Sequence, residues 1–189
     1  DRALVKNILG IFVEMGMGGM EAYETDFEEH LLTNTAAFYA RQASAWIEED
    51  SCPEYLVKAE ECLRREKERV GHYLHASSET KLLKEVEKEV LATYEMRLLE
   101  KEHSGCAVLL RDDKTEDLAR AFRLFKRVPG GLPPVADIFK KHVEKEGVGL
   151  VKQAEDAAVQ KKEAKAAAGG DKGATAAAAQ STEQLFVRN

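Results

Sequence analysis

Three groupings of side chains in this 189-residue chain have the types and spacing that chemistry requires. Glu48, Glu49 and Asp50 put three carboxylates in a row, the raw material of an acid–base pair. His72 and His75 stand at i and i+3, so one helix face would aim both at a single metal ion. His103 lies three residues before Cys106, a base within reach of a thiol. Each grouping has a blander reading that outweighs it. The three carboxylates read as a solvated run. Two histidines do not complete a zinc site, and no Cys or His pair at convincing spacing supplies the remaining ligands. His103 reads as a helix-ending residue beside a small buried cysteine. The glycine cluster Gly16-Met17-Gly18-Gly19 follows a helical segment and lacks the G-x-G-x-x-G spacing, so it is a helix stop and not a phosphate cradle. The aromatics Phe27, Phe38, Trp46, Phe122 and Phe125 fall at helical spacing and read as core. No catalytic, cofactor-binding or metal-ligating residue is therefore assigned, and no cofactor is expected.

The elements that would position these residues are helices throughout. Leu4, Ile8, Ile11, Phe12 and Met15 give residues 2–15 one apolar face, and the glycines at 16, 18 and 19 stop that helix. Asp26 is the expected cap of a second helix, with Phe27, Leu31, Phe38 and Trp46 inward and an end at Glu49. Ser51-Cys52-Pro53-Glu54 carries a capping box with proline in the first turn. The helix it opens places Leu56, Ala59, Leu63, Val70 and Leu74 on one side. Glu54–Lys58, Glu60–Arg64 and Glu61–Arg65 pairs are expected on its other side, each stabilising by about 0.2–0.5 kcal/mol.

Ser77 or Ser78 starts the next helix, with Leu82, Leu83, Val86, Val90, Tyr94 and Leu98 buried and Gly105 at its end. Thr115 caps a helix carrying Leu118, Phe122 and Phe125, and Pro129-Gly130-Gly131 terminates it. A last helix is expected from about Pro134 to Gln160, with Ile138, Phe139, Val143, Leu150 and Val151 inward and weak points at Gly147 and Gly149. No segment alternates with the period of two that marks a strand. The fold class is all-α, with long antiparallel helices. Trp46 and Phe122 are both expected to be buried.

Composition bounds the function. The chain is 33% charged and 44% hydrophobic with a net charge of −6, both signs interspersed, which leaves no basic footprint for nucleic acid. No apolar run approaches the roughly 18 residues that a membrane span needs. Three cysteines with no paired spacing suit a reducing compartment, and the cytoplasm and nucleus are the expected location. The first residue is Asp1, so a piece of a longer protein is expected. Residues 161–180, KKEAKAAAGGDKGATAAAAQ, hold no large apolar side chain and read as a flexible linker. Residues 181–189, STEQLFVRN, regain Leu185, Phe186 and Val187 and read as the beginning of a further helix.

Many positions at matching spacing carry a family resemblance. The segments YETDFEEHLL, WIEEDSCPEYLVKAEECLRREKERVGHYLH, LLEKEHSGCAVLLRDDKTEDL, AFRLFKRVPGGL and VADIFKKHV resemble the amino-terminal stalk of cullins, most closely plant-type cullins of the SCF class. The resemblance covers residues 1–160 and resumes weakly at 181–189. It implies a stack of five-helix repeats, of which residues 1–160 would be most of the second and the start of the third. It implies a non-catalytic scaffold within a multisubunit ubiquitin ligase. It implies a Skp-type adaptor with F-box receptors and a RING-finger subunit as partners, docking outside this stretch. No adaptor-binding residue or modified lysine of the family falls on a position here. Two other classes compete. One is an independent helical interaction module, against which no self-similarity of about 33–47 residues is found. The other is a small helical enzyme using His72, His75 or His103.

Overall fold

The computed structural model describes the backbone of residues 2–186 and the side chains of residues 2–164. Among the described residues every regular element is a helix, as the periodicities require. Helix α1 spans Arg2–Met15. Helix α2 is three contiguous pieces, an α-helical start at Glu21–Tyr23, a π-helical turn at Glu24–Glu28 and an α-helix at Glu29–Glu49. Then follow α3 (Cys52–Tyr73), α4 (Ser78–Val90), a 3₁₀ turn (Ala92–Tyr94), α5 (Glu95–Leu99), α6 (Cys106–Arg111), α7 (Thr115–Phe125) and α8 (Leu132–Phe186). The chain divides into two units at His142 and Val143.

The first unit holds the core. Helix α4 packs against both α2 and α3, α3 also packs against α7, and α1 rests on α3 and the start of α2. Tyr55, Leu56 and Ala59 of α3 meet Val86 and Val90 of α4, Leu98 of α5 and Phe125 of α7 in one continuous apolar cluster. A smaller cluster joins Leu31, Val70 and Leu82 under Phe27 and Leu74. The second unit is the remainder of α8. Val143, Val148, Leu150, Val151 and Val159 are exposed along it.

Local signals placed several boundaries correctly. The glycine turn ends α1 because Met17 and Gly18 both take positive φ and a side chain on Gly16 would strike the Gly19 carbonyl at 2.0 Å. The Ser51 capping box forms as expected. The Glu54 N–H donates to Ser51 Oγ at 3.4 Å, and the Ser51 N–H donates to Glu54 Oε2 at 3.0 Å. Removing it by Ser51→Ala should lower stability by about 1 kcal/mol in chemical denaturation. A loss indistinguishable from zero would mean that packing alone starts α3. Beyond α7, Gly130 takes φ +79°. A Cβ on Gly131 would sit 2.5 Å from the Phe125 carbonyl, so this turn demands both glycines.

Other expectations are corrected. Asp26 caps nothing: α2 already begins at Glu21, and Asp26 lies within the π-helical turn. Burial of Tyr23 beneath α4 holds that first turn in place of a side-chain cap. Thr115 is the first helical residue of α7 and makes no capping bond. Helix α4 stops at Val90, and Gly105 precedes α6 instead of ending a long helix. Only one of the three expected pairs on α3 forms, Glu61 with Arg65 at 3.6 Å. Lys58 instead turns back to Asp50 at 2.6 Å, and Glu60 crosses to Arg120 and Arg123 of α7. Tertiary partners outcompete the local ones because exposed helix pairs are worth only a few tenths of a kcal/mol.

The burial pattern differs too. Of the expected inner face of α1, Leu4, Ile8, Ile11 and Met15 are exposed and Phe12 is half-buried, and α1 buries Leu9 against its neighbours instead. Phe122 is half-exposed, whereas Phe125 is fully buried. Trp46 is half-buried against the main core, and Phe38 is half-exposed. On α8 only Ile138 of the five expected inward residues packs on the core; Phe139, Val143, Leu150 and Val151 face solvent. The α8 backbone continues through 161–180, the stretch whose composition reads as a linker. Within the expected terminal segment, Val187, Arg188 and Asn189 lie outside the described residues, as does Asp1.

Candidate functional site

The side chains singled out for chemistry are not brought together. Glu48 lies at the end of α2 and binds Arg97 at 2.7 Å; that hydrogen bond and charge hold its carboxyl below the usual range. Asp50 binds Lys58, while its carbonyl accepts from Lys101. Glu49 is exposed. The run is thus split among separate cations that tie the α2–α3 turn together, and no two of its carboxyls share a proton site.

His72 and His75 are also parted. Tyr73 ends α3, so His75 leaves the helical face that would have aligned it with His72. Its Nδ1 lies 2.8 Å from Ser77 Oγ, and its ring meets Tyr23 edge-on. Among the described residues no three of His, Cys, Asp and Glu converge as a metal site would require. His103 sits in an exposed turn, whereas Cys106 is buried at the start of α6. Burial pushes the Cys106 thiol up, and burial pushes Cys52 up to about 12. Both are held as thiols at neutral pH, the inert form for nucleophilic chemistry.

Two buried polar networks went unread in the sequence. In the first, the π-helical turn directs Glu28 inward, where it accepts from Ser78 Oγ at 2.6 Å and from Lys81 Nζ at 2.6 Å. Tyr23 Oη lies 2.8 Å from the same Ser78 hydroxyl and accepts the His75 N–H at 3.2 Å. One wide turn thereby fastens α2 to the α3–α4 turn and to α4. In the second, Tyr39 Oη donates to Glu66 Oε1 at 2.9 Å, while Arg69 contacts both Glu66 and the Tyr73 hydroxyl. Burial, followed by the Glu66 charge, pushes the Tyr39 phenol well above its usual range, so it stays a donor. A third tie runs from Tyr55 Oη to the Val90 carbonyl at 2.8 Å. Serine, glutamate and tyrosine carry no local signal for such roles, because their partners lie 27–55 residues away.

These bonds have a mechanical consequence. The Tyr39–Glu66, Ser78–Glu28, Tyr23–Ser78 and Tyr55–Val90 bonds each join two helices across the core, where a broken bond leaves a buried polar atom unsatisfied at a cost of about 1–3 kcal/mol. Relative sliding or rotation of α2, α3 and α4 would break several at once. Among the described residues these bonds tie helices together, and the groupings singled out for chemistry do not converge.

Among the concavities of the first unit, two differ sharply in their walls. A cleft of about 600 Å³ with mixed walls runs between α2 and α3, where Phe27, Leu31 and Phe38 stand beside His30, Arg65 and Arg69. Its arginines are engaged by Glu61 and Glu66. The other, of about 410 Å³, lies among α6, α7 and the first turns of α8, and its walls are apolar throughout.

The comparisons with known proteins agree with this architecture. The family described as Cullin alpha solenoid domain matches residues 1–186. Cullin-1 of Oryza sativa subsp. japonica is 58% identical over 162 residues, which is 86% of this chain and 22% of that protein. Putative cullin-like protein 1 of Arabidopsis thaliana is 54% identical over 158 residues, 84% of this chain and 22% of that protein. Putative cullin-like protein 2 of the same plant is 55% identical over 156 residues, 82% of this chain and 42% of that protein. The chain thus spans between about a fifth and two-fifths of the length of these relatives. With helices alone among the described residues, a solenoid-type family matched almost end to end and identities above half, this chain is a stretch of a protein of the cullin family.

Proposed function

We propose that this chain is a rigid, non-catalytic spacer within the scaffold of an SCF-type ubiquitin ligase. Residues 1–160 correspond in this reading to most of the second stalk repeat and the start of the third. A Skp-type adaptor with its F-box receptor, and a RING-finger subunit, dock on parts of the longer protein outside this chain. The complex works in the cytoplasm and nucleus, in ubiquitin-dependent protein degradation. The observation that carries the reading is the family match over residues 1–186, on a stretch whose helices are cross-tied by buried polar bonds. A stiff spacer raises the transfer rate by fixing the separation of substrate and charged enzyme, so that the reaction gains from proximity and orientation.

The reading predicts that the purified chain, mixed with Skp adaptor and RING subunit, binds neither stably and forms no ubiquitin chains. A stable complex with the RING subunit, or ligation by the chain alone, would overturn it.

A further inference from the structure

The π-helical turn at Glu24–Glu28 has a geometric reason. Tyr23 and Glu28 both reach the Ser78 hydroxyl, at 2.8 and 2.6 Å, yet they stand five residues apart on α2. In a regular α-helix each residue turns about 100°, so positions i and i+5 point about 140° apart and do not share one partner. A turn closed by i→i+5 bonds brings them toward one side. The wide turn and the shared serine therefore require each other.

The bonds also run in one direction. The single Ser78 hydroxyl hydrogen goes to Glu28 Oε1, so Ser78 Oγ accepts from Tyr23 Oη, which in turn accepts the His75 N–H at 3.2 Å. The series of donors ends on the Glu28 carboxylate. Glu28 is 2% exposed, and a carboxylate buried so deeply needs a counterion. Lys81 Nζ supplies it, 2.6 Å from Oε2. Tyr23 and Ser78 are fully buried, whereas the Lys81 side chain is 47% exposed. Of these four side chains, Lys81 alone is open to solvent.

We propose that the π-helical turn is a two-state joint and that the Lys81 charge is its latch. With the charge in place, Glu28 stays inward and the turn stays wide. With the charge neutralised, the buried carboxylate is uncompensated, and it returns to water by rotating outward. The turn then closes to regular α-helix. Tyr23 loses its register with Ser78, and the first turn of α2 comes off α4 together with α1, which packs on it. The Tyr39–Glu66 and Tyr55–Val90 bonds lie beyond the joint and keep α2, α3 and α4 together. A local change of charge biasing a bistable turn is the general form of a conformational switch. The inference concerns the first unit itself and does not depend on a role in ubiquitin ligation.

Hydrogen exchange at single amides of the purified chain, read by NMR, tests the latch, with helical content checked by circular dichroism. In Lys81→Gln, amides of residues 21–28 should exchange faster by about tenfold or more, the effect of losing one charge-assisted hydrogen bond, while Leu56 on α3 and Val86 on α4 keep their protection. Lys81→Arg keeps the charge and should leave the turn protected. The double variant Glu28→Gln/Lys81→Gln should regain protection, since a neutral side chain at position 28 still accepts the Ser78 hydroxyl and needs no counterion. If Lys81→Gln alone loses helix, the comparison is made in the Glu28→Gln background, where adding Lys81→Gln should change nothing and a change overturns the inference. Unaltered exchange at residues 21–28 in folded Lys81→Gln overturns it as well. So does an equal rise at Leu56 and Val86, or a double variant as loose as Lys81→Gln.

Discussion

Phe125→Ala should destabilise the first unit by about 3–5 kcal/mol, measured by chemical denaturation, whereas Phe122→Ala three residues away should cost far less. Phe125 is fully buried in the main cluster with Ala121, Leu124 and Val128 around it on the same helix and turn. Truncation there removes the transfer free energy of a whole aromatic ring and leaves a void that helices tied to α3 and α4 cannot collapse. Phe122 keeps half its surface in water, so its truncation forfeits only the contacts of the cleft wall. Equal losses at the two positions would mean that α7 is rotated from the orientation described.

Gly105→Ala should cost about 1–3 kcal/mol or more, although it adds a single methyl group. A Cβ at this position would lie 2.5 Å from the Leu99 carbonyl and 2.6 Å from the Lys101 carbonyl. Both neighbours are backbone, so no side chain can swing aside, and the turn between α5 and α6 must open. That turn also positions Ser104, whose hydroxyl accepts the Cys52 N–H at 3.0 Å at the start of α3. The strain therefore reaches the main core. Gly149→Ala is the matched control. A Cβ there meets nothing within 4 Å, and within a helix alanine is favoured over glycine by up to about 1 kcal/mol. The same chemical change should destabilise at one position and be neutral or stabilising at the other, and equal effects would contradict the steric account.

The contrast between these positions shows what could be read from the sequence. The start of α3 was legible because all its determinants lie within Ser51–Glu54. The ends of α1 and α7 were legible because glycine marks them directly. The break after Val90 was not: no Gly or Pro interrupts Leu91–Leu99, and Leu91, Leu98 and Leu99 are all buried by tertiary packing. The π-helical turn was not legible either, since Glu28 faces inward only because Ser78 and Lys81 are there to receive it. On α1 the sequence offers apolar residues on more than one side, and periodicity selected the side that the described structure leaves exposed. Periodicity reports that a face is apolar; which neighbour covers it depends on partners that a single helix does not encode.

The candidate site was legible chiefly as a series of exclusions. Adjacency along the chain proposed Glu48 with Glu49 and Asp50, and His72 with His75, but adjacency is not convergence. Separate cations hold Glu48 and Asp50, and the end of α3 parts the two histidines. The features that do distinguish the stretch are long-range bonds such as Tyr23 to Ser78 and Tyr39 to Glu66. Their residue types are too common to signal a role before the fold brings them together.

Stiffness is the property that the proposed role requires, and under that proposal it can be loosened without touching a docking surface. The direct measurement is ubiquitin transfer by the reconstituted ligase carrying the longer protein, with flexible Gly/Ser residues inserted beside Ser51 or Ser77. Transfer should fall while adaptor and RING subunit remain bound at unchanged affinity. Transfer at the unaltered rate, with both partners still bound, would contradict the assignment of this stretch as a rigid spacer.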